Sequence, residues 1–145
     1  MEGRLYVIGM GPGSGEMMTP QAARALERCQ VIAGYTVYVE LLKERYPQAE
    51  FLTTPMTREE ERCRMALKRA AQGAQTAMVC SGDAGVYGMA GLILELAQEY
   101  PGVAVEIIPG ITAACAGAAI LGAPLMHDFA VISLSDRLTA LELIW

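Results

Sequence analysis

The chain alternates short apolar runs with longer segments in which apolar residues recur every three or four positions. The apolar runs predict strands at residues 4–9, 31–33, 51–53, 76–80, 103–108 and 129–134. The segments between them predict helices at residues 21–29, 37–46, 58–72, 87–100 and 113–121. Strands that alternate with helices indicate an α/β fold, and we expect a mainly parallel sheet with helices on both faces.

Polar residues mark where several of these helices begin. Thr19-Pro20 predicts an N-cap followed by proline at the first helical position. Thr57-Arg58-Glu59-Glu60 matches a capping box, with Thr57 as the cap and Glu60 three residues further on. Thr112 is expected to cap the alanine-rich helix that ends at Leu121.

Three glycine-rich turns each follow a predicted strand, at residues 9–13, 81–85 and 109–112. In a parallel sheet the loops after the strands meet at one edge, and glycine lets the backbone come close to a ligand there. We therefore expect the three turns to line one ligand cleft at the carboxyl edge of the sheet. Asp83 and Thr112 should lie side by side in that cleft.

The first turn, Gly9-Met10-Gly11-Pro12-Gly13, matches neither of the common phosphate-binding loops. A dinucleotide fingerprint needs its helix to begin within the glycine run, whereas here Pro12 and residues 14–18 intervene. The Gly-Lys-Ser/Thr of a Walker loop is absent from the sequence. The turn is therefore either a plain connection or a surface for a ligand other than a pyrophosphate.

The other two turns each carry one polar side chain that could meet a ligand. Asp83 can cap the turn that follows it, or accept hydrogen bonds from a ligand amine or hydroxyl. Lysine and arginine are absent nearby, which disfavours an anionic ligand and suits a zwitterion or a cation such as a sulfonium. Thr112 can cap its helix, bind a ribose or a purine edge, or do both.

Composition narrows the class of protein. The 145 residues fit one domain, and a net charge of -5 without a stripe of basic residues argues against a nucleic-acid partner. The sequence has no apolar run long enough for a membrane span and no signal peptide before the first strand, so we expect a cytoplasmic protein. The hydrophobic content of 53% is slightly high, and we expect an apolar surface that binds a second copy to form a homodimer.

The four cysteines and the single histidine bear on metal binding. Cys29, Cys63, Cys80 and Cys115 are scattered without a C-x-x-C pair, which is typical of small apolar residues inside helices and strands. A metal or iron–sulfur site is the alternative interpretation. His127 alone cannot complete a multi-histidine zinc site, so we expect no bound metal.

Several of these segments together resemble the tetrapyrrole methylase family, whose members transfer methyl groups from S-adenosylmethionine (SAM). The general family motifs are residues 7–13 with 18–20, residues 81–83 and residues 109–114. Two longer segments, residues 81–91 and 121–136, are similar to the branch that methylates C17 of precorrin-3B, the ring-contracting step of cobalamin synthesis. Alanine follows Asp83 where many other branches have proline, which also fits this branch.

The resemblance implies that SAM lies folded between this domain and a second one. Carried over motif by motif, it implies that SAM contacts Pro12, Ser81, Gly82, Asp83, Val86, Thr112 and Ala113. The first glycine turn would face the tetrapyrrole substrate, which is either precorrin-3B or cobalt-precorrin-3. The sequence leaves open whether that substrate carries cobalt.

Ring contraction also needs acid–base help, for which we expect His127 with Asp128 beside it. The alternative is a polar turn before the last predicted strand. The chain ends within a predicted helix, so we expect residues 1–136 to form the family's N-terminal α/β domain. Residues 137–145 would begin the connection to an absent C-terminal domain. Two other functions stay open: methylation at another ring position or acceptor, and a truncated binding domain without catalytic activity.

Overall fold

Strands and helices alternate along residues 3–134, which are the residues that the computed structural model describes. Two short 3₁₀ helices lie at Gly15–Met17 and Ala97–Glu99. Within this part of the chain, helices long and apolar enough to cross a membrane are absent. The strands and α-helices are β1 Arg4–Gly9, α1 Pro20–Arg28, β2 Val31–Tyr35, α2 Thr36–Lys43, β3 Glu50–Thr54, α3 Glu59–Ala71, β4 Gln75–Cys80, α4 Ala90–Leu96, β5 Ala104–Ile108 and α5 Ala113–Leu121.

The five strands form one sheet in the order β3-β2-β4-β1-β5, and every pair of neighbouring strands is parallel. This confirms the predicted α/β class. The register aligns Gly9 of β1 with Cys80 of β4, and Ile8 with Ile108 of β5. As a result, the loops that follow these three adjacent strands begin at the same level of the carboxyl edge.

Helices cover both faces of the sheet, as predicted. Alternate residues of a strand point to opposite faces, so Leu5 and Val7 of β1 join a core cluster with α3 and α4. Tyr6 and Ile8 join a second cluster with α1 and α2 on the other face. Strands that are buried on both faces read as nearly continuous apolar runs, which is why the strand pattern was readable from the sequence.

The chain divides into two compact units, Met1–Ala113 and Ala114–Trp145. The first unit contains the whole sheet together with α1 to α4. In the second, α5 is followed by irregular backbone over residues 123–134. The expected domain end at residue 136 and the expected helix at 137–145 lie outside the described residues, so both stay predictions.

The expected strand at residues 129–134 is wrong. These residues are irregular and belong to none of the five strands in the described part of the chain. Their apolar character fits a strand, but a strand also needs to join the hydrogen-bond ladder of a sheet. A pattern read along one segment does not show whether the segment joins such a ladder.

Helix starts were predicted correctly in one case and wrongly in another. Thr19 caps α1, its Oγ1 accepting a hydrogen bond from the Ala22 amide at 3.1 Å. The capping box at Thr57 is wrong, because Thr57 has a φ of 68°, whereas a cap residue needs extended backbone. Arg58 occupies the cap position of α3, and the Thr57 amide donates to Glu59 Oε1 at 3.1 Å.

The helix expected at residues 87–100 is shorter than predicted. It begins at Ala90, and Ala97–Glu99 continue it as a 3₁₀ turn. Tyr87 has a φ of 53°, which is incompatible with a right-handed helix and delays the helix start. The second glycine turn therefore runs on to residue 89 and gives the carboxyl edge a longer loop.

Candidate functional site

The first two glycine turns are hydrogen-bonded to each other at the carboxyl edge of the sheet. The Met10 amide donates to Cys80 O at 2.8 Å, which extends the ladder between β1 and β4 by one step. Gly11 and Gly82 then exchange both backbone hydrogen bonds, at 3.0 and 2.8 Å. Both glycines have positive φ, 75° and 66°, which residues with a side chain rarely adopt. The glycines are thus required by the backbone that joins the two turns.

Asp83 attaches the third turn to the second. Its Oδ1 accepts a hydrogen bond from the Gly110 amide at 2.9 Å. Its Oδ2 accepts from the amides of Gly85 and Val86 at 2.8 and 3.1 Å. The carboxylate therefore caps its own turn, as one of the two sequence interpretations had it, and also fixes the loop after β5.

The hydrogen bonds also decide the charge of Asp83. Partial burial raises the pKa of this carboxyl, but hydrogen bonds from the backbone amides of Gly110, Gly85, Val86 and Ala84 outweigh burial and lower it. Asp83 is therefore ionised at neutral pH.

Gly9 and Gly110 lie where the three turns converge; both belong to turns predicted to line the cleft, but neither is among the residues expected to contact SAM. A Cβ on Gly9 would lie 2.6 Å from Gly82 O and 2.7 Å from the Gly110 nitrogen. A Cβ on Gly110 would lie 2.2 Å from Gly82 O. These contacts are to backbone, so they cannot be relieved by a side-chain rotation. In the sequence, the signal that the two glycines belong to the site was their position at the end of β1 and just after the end of β5.

The three turns occupy the place where open α/β sheets usually bind ligands. β1 and β4 are neighbours, yet β1 leads to α1 on one face of the sheet and β4 leads to α4 on the other. Such a reversal between adjacent strands normally opens a crevice. Here the backbone pair of Gly11 and Gly82 fills that position. We therefore expect a ligand to rest on the outer surface of the turns.

The structure brings the residues expected to bind SAM to one edge of the first unit. Pro12, Ser81, Val86 and Ala113 are exposed there, Gly82 is buried, and Asp83 and Thr112 are half-buried. Thr112 and Gly82 are adjacent, since a Cβ on Gly82 would lie 3.6 Å from the Thr112 Cα. That these residues contact SAM stays a prediction.

His127 and Asp128, the expected acid–base residues, belong to the second unit. Both are exposed and lie in its irregular segment. Their catalytic role stays a prediction.

Two buried groups lie near the carboxyl edge of the sheet, of which Cys80 was expected to be buried and Arg62 was missed from the sequence. The Cys80 sulfur accepts a hydrogen bond from the Met89 amide at 3.3 Å, just before α4, and burial raises the pKa of this thiol to about 11. Arg62 is buried in α3 and bonds to Thr54 at the end of β3. Arg62 lies four residues before Ala66 and eight before Ala70, so it is on the buried face of the helix. This spacing was the signal in the sequence that Arg62 would be buried.

The chemistry of the three turns suits a ligand that carries positive charge. Residues 10–14, 81–86 and 109–113 include one ionised carboxylate and no lysine or arginine. Among residues 3–134, groups of three or more His, Cys, Asp or Glu side chains placed to hold a metal ion are absent. The structure therefore offers a carboxylate and backbone groups at this edge.

Comparison with known proteins identifies the family. Residues 4–145 match the family model described as Tetrapyrrole (Corrin/Porphyrin) Methylases. The chain is 51% identical over 136 residues to the probable cobalt-factor III C(17)-methyltransferase of Salmonella typhimurium, covering 93% of this chain and 56% of that protein. It is 44% identical over 149 residues to the precorrin-3B C(17)-methyltransferase of a Sinorhizobium species, covering 99% of this chain and 58% of that protein.

Solved structures agree with the sequence comparison. The crystal structure of the methyltransferase CobJ superposes with a TM-score of 0.87 at 39% identity, covering 98% of this chain and 60% of that one. The uroporphyrin-III C-methyltransferase of Thermus thermophilus, solved in complex with S-adenosyl homocysteine, gives a TM-score of 0.66 at 29% identity, covering 86% of this chain and 50% of that one. This chain thus spans little more than half the length of the Salmonella and Sinorhizobium relatives. With its matching motifs, sheet and family model, the chain belongs to the tetrapyrrole methylase family.

Proposed function

We propose that the protein acts in cobalamin synthesis as a SAM-dependent C-methyltransferase. Its reaction is methylation of C17 of precorrin-3B or cobalt-precorrin-3, accompanied by contraction of the macrocycle. The observation that carries this proposal is the 51% identity to the Salmonella cobalt-factor III C(17)-methyltransferase across 93% of the chain. The Sinorhizobium relative, whose name specifies the same ring carbon, supports it.

The carboxyl edge of the sheet is the proposed place for SAM. Pro12, Ser81, Gly82, Asp83, Val86, Thr112 and Ala113 would hold it there. The negative charge of the ionised Asp83 carboxylate fits a ligand with a positive sulfonium and an ammonium group. The neighbouring structure with S-adenosyl homocysteine supports use of this donor within the family. When bound, SAM supplies a methyl group on a positively charged sulfur that leaves readily.

The chain's own contribution is positioning. The turns at residues 9–13 and 81–86 are locked by backbone hydrogen bonds, so a ligand resting on them meets a surface that is already formed. Holding two reactants in the reactive geometry can remove about 7–11 kcal/mol from a bimolecular barrier. In this proposal His127, with Asp128 beside it, moves the proton that ring contraction requires.

Methyl transfer in solution tests this proposal. The full product of the reading frame is incubated with methyl-labelled SAM and, in separate reactions, with precorrin-3B, cobalt-precorrin-3 and the cobalt-factor III that the Salmonella relative's name specifies, and the tetrapyrrole is isolated. We expect one labelled methyl group in the product, at C17 by NMR. Label at another ring carbon, or no label with a folded protein, would contradict the proposed reaction.

A His127→Gln variant tests the role of His127 in ring contraction. The variant should still methylate the tetrapyrrole but fail to contract the ring. Unchanged ring contraction would remove His127 from the proposal.

The cytoplasm and a homodimer are the proposed setting. Cys29, Cys63, Cys80 and Cys115 are all free thiols, which fits a reducing compartment. The hydrophobic content of 53% supports an apolar surface that a second copy would cover. Light scattering coupled to gel filtration should give twice the chain mass at micromolar concentration, and the chain mass alone would contradict the dimer.

A further inference from the structure

Arg62 is a buried cation without a carboxylate partner in the described part of the chain. Its exposed fraction is 4%, and none of the ion pairs among residues 3–134 includes it. Its Nε lacks a hydrogen-bond partner among the same residues. An apolar side chain of similar volume would normally be cheaper at a buried position. A buried arginine with an unsatisfied nitrogen therefore calls for a reason other than packing.

The hydrogen bonds of Arg62 hold the loop between β3 and α3. Its Nη1 donates to Thr54 Oγ1 at 2.9 Å and to Thr54 O at 3.4 Å. The Thr54 hydroxyl donates in turn to Arg58 O at 3.1 Å. Thr54 ends β3 and Arg58 precedes α3, so the Thr54 hydroxyl joins the two ends of the intervening residues 55–57 and the Arg62 guanidinium holds that hydroxyl in place.

This short loop is held in a strained conformation. Thr57 is β-branched and has a φ of 68°, a combination that is a genuine outlier in proteins. Backbone strain of this kind persists where the surroundings enforce it, and it clusters at functional sites. Between the two fixed ends, Met56 projects into solvent with 65% of its surface exposed.

The loop lies at the same edge as the three glycine turns. Thr54 of β3 pairs with Tyr35 of β2. Ala33 of β2 pairs with Met78 of β4, and two residues further along the parallel strands Tyr35 is level with Cys80. Thr54 and Cys80 therefore lie at the same level of the sheet. β2 is the single strand between β3 and β4, which puts the two strand ends about 10 Å apart. A four-ring macrocycle that touches the glycine turns is broad enough to reach the Met56 side chain.

We propose that Arg62 is a positioning residue that holds residues 55–57 so that Met56 packs against the tetrapyrrole acceptor. This inference rests on the proposed function and adds a contact surface for the substrate. A flexible thioether is well suited to lie against the flat, polarisable face of a macrocycle. SAM is held elsewhere along the edge, so its binding does not depend on this loop.

Steady-state kinetics with cobalt-factor III as the varied substrate, at saturating SAM, tests the inference. Met56→Ala and Arg62→Met should each raise KM for the tetrapyrrole about tenfold. The turnover number kcat and the Kd for SAM should stay within about twofold of wild type, because neither residue touches the methyl donor. Arg62→Lys keeps the charge and one donor, and should recover part of the KM. Leu41→Ala is the matched control, because Leu41 is a similarly exposed apolar residue, at 57%, near the far end of α2.

The outcomes separate this inference from the proposed function. A wild-type protein that methylates none of precorrin-3B, cobalt-precorrin-3 and cobalt-factor III overturns the proposed function and this inference with it. An active wild type with unchanged KM in Met56→Ala overturns this inference alone. Equal KM increases in Met56→Ala and Leu41→Ala also overturn it, since the effect would not be specific to the loop. If Arg62→Met fails to fold, Arg62 is structural, and Met56→Ala still decides the substrate contact.

Discussion

At the scale of single residues, Asp83 does most to hold the candidate site together. One side chain accepts hydrogen bonds from amides in two different turns, and these bonds keep its pKa below the ordinary value. A carboxylate used in this way contributes to stability, and in the proposed function it also binds the ligand. Its two roles can be separated, because stability can be measured without a ligand.

Replacing Asp83 by asparagine should destabilise the protein by about 1–3 kcal/mol. If the NH2 of the asparagine side chain faces the backbone amides of Gly85 and Val86, donors meet donors and both hydrogen bonds are lost. If the side chain is turned the other way, the NH2 faces the Gly110 amide and that hydrogen bond is lost. Urea denaturation of both proteins measures the difference. Glu95→Gln, an exposed acid-to-amide change on α4, serves as control and should stay within about 0.5 kcal/mol of wild type.

The same pair of proteins gives a pH dependence with a definite sign. The folded-state pKa of Asp83 is lowered from 3.8, so its ionised form stabilises the fold above pH 3.8 and this contribution is lost as pH falls through the lowered pKa. Asparagine does not titrate. The stability gap between wild type and Asp83→Asn should therefore be constant at neutral pH and shrink below pH 3.8. A gap that does not change on acidification would show that the hydrogen bonds do not depend on the charge.

The cysteines allow a second test at the residue scale. Burial raises the pKa of Cys29 and Cys63 to about 12 and that of Cys80 to about 11, whereas Cys115 is exposed. Thiolate is the reactive form, so the three buried thiols should be inert in the native protein. A colorimetric disulfide reagent at mildly alkaline pH should modify one thiol per chain before denaturation and four after it. Rapid native modification of Cys80 would contradict the packing at the start of α4.

At the scale of elements, the convergence of the three turns depends on glycine at particular positions. Gly110→Ala would place a Cβ 2.2 Å from Gly82 O, and we expect a loss of about 2 kcal/mol or more, because overpacking against backbone cannot relax locally. Gly91→Ala is the matched control. It lies in α4 with open space around the added Cβ, and should gain up to about 1 kcal/mol. Thermal denaturation that shows equal effects at both positions would contradict the described contact.

The same elements show what the sequence could and could not predict. The strands and glycine turns were readable because each is encoded by a local run of residues. The cap at Thr57 and the strand at residues 129–134 followed local patterns too, but Thr57 has a positive φ that its pattern does not encode, and a strand depends on pairing with another strand. The contacts of Arg62 with Thr54 and of Asp83 with Gly110 are side-chain bonds across a loop or between turns, which no local pattern encodes.

At the scale of the whole molecule, the strand order places the site. The order β3-β2-β4-β1-β5 puts the three glycine turns at the ends of three adjacent strands, the central β4 and β1 and the edge strand β5. Both sheet faces are covered by helices, so the strand ends remain as the place where backbone groups can meet a ligand. The central claim is that this edge of the first unit binds SAM.

Amide NMR of the isotope-labelled protein during titration with SAM tests that claim most directly. If SAM binds at this edge, a set of amide signals should shift together and follow one saturation curve. They are the signals of Ser81, Gly82, Asp83, Val86, Thr112 and Ala113. Amides at the opposite edge, such as those of Gln30, Ala74 and Gly102, should stay in place. Shifts confined to the opposite edge, or a saturating titration that leaves the glycine turns unmoved, would contradict the assignment of this edge as the SAM site.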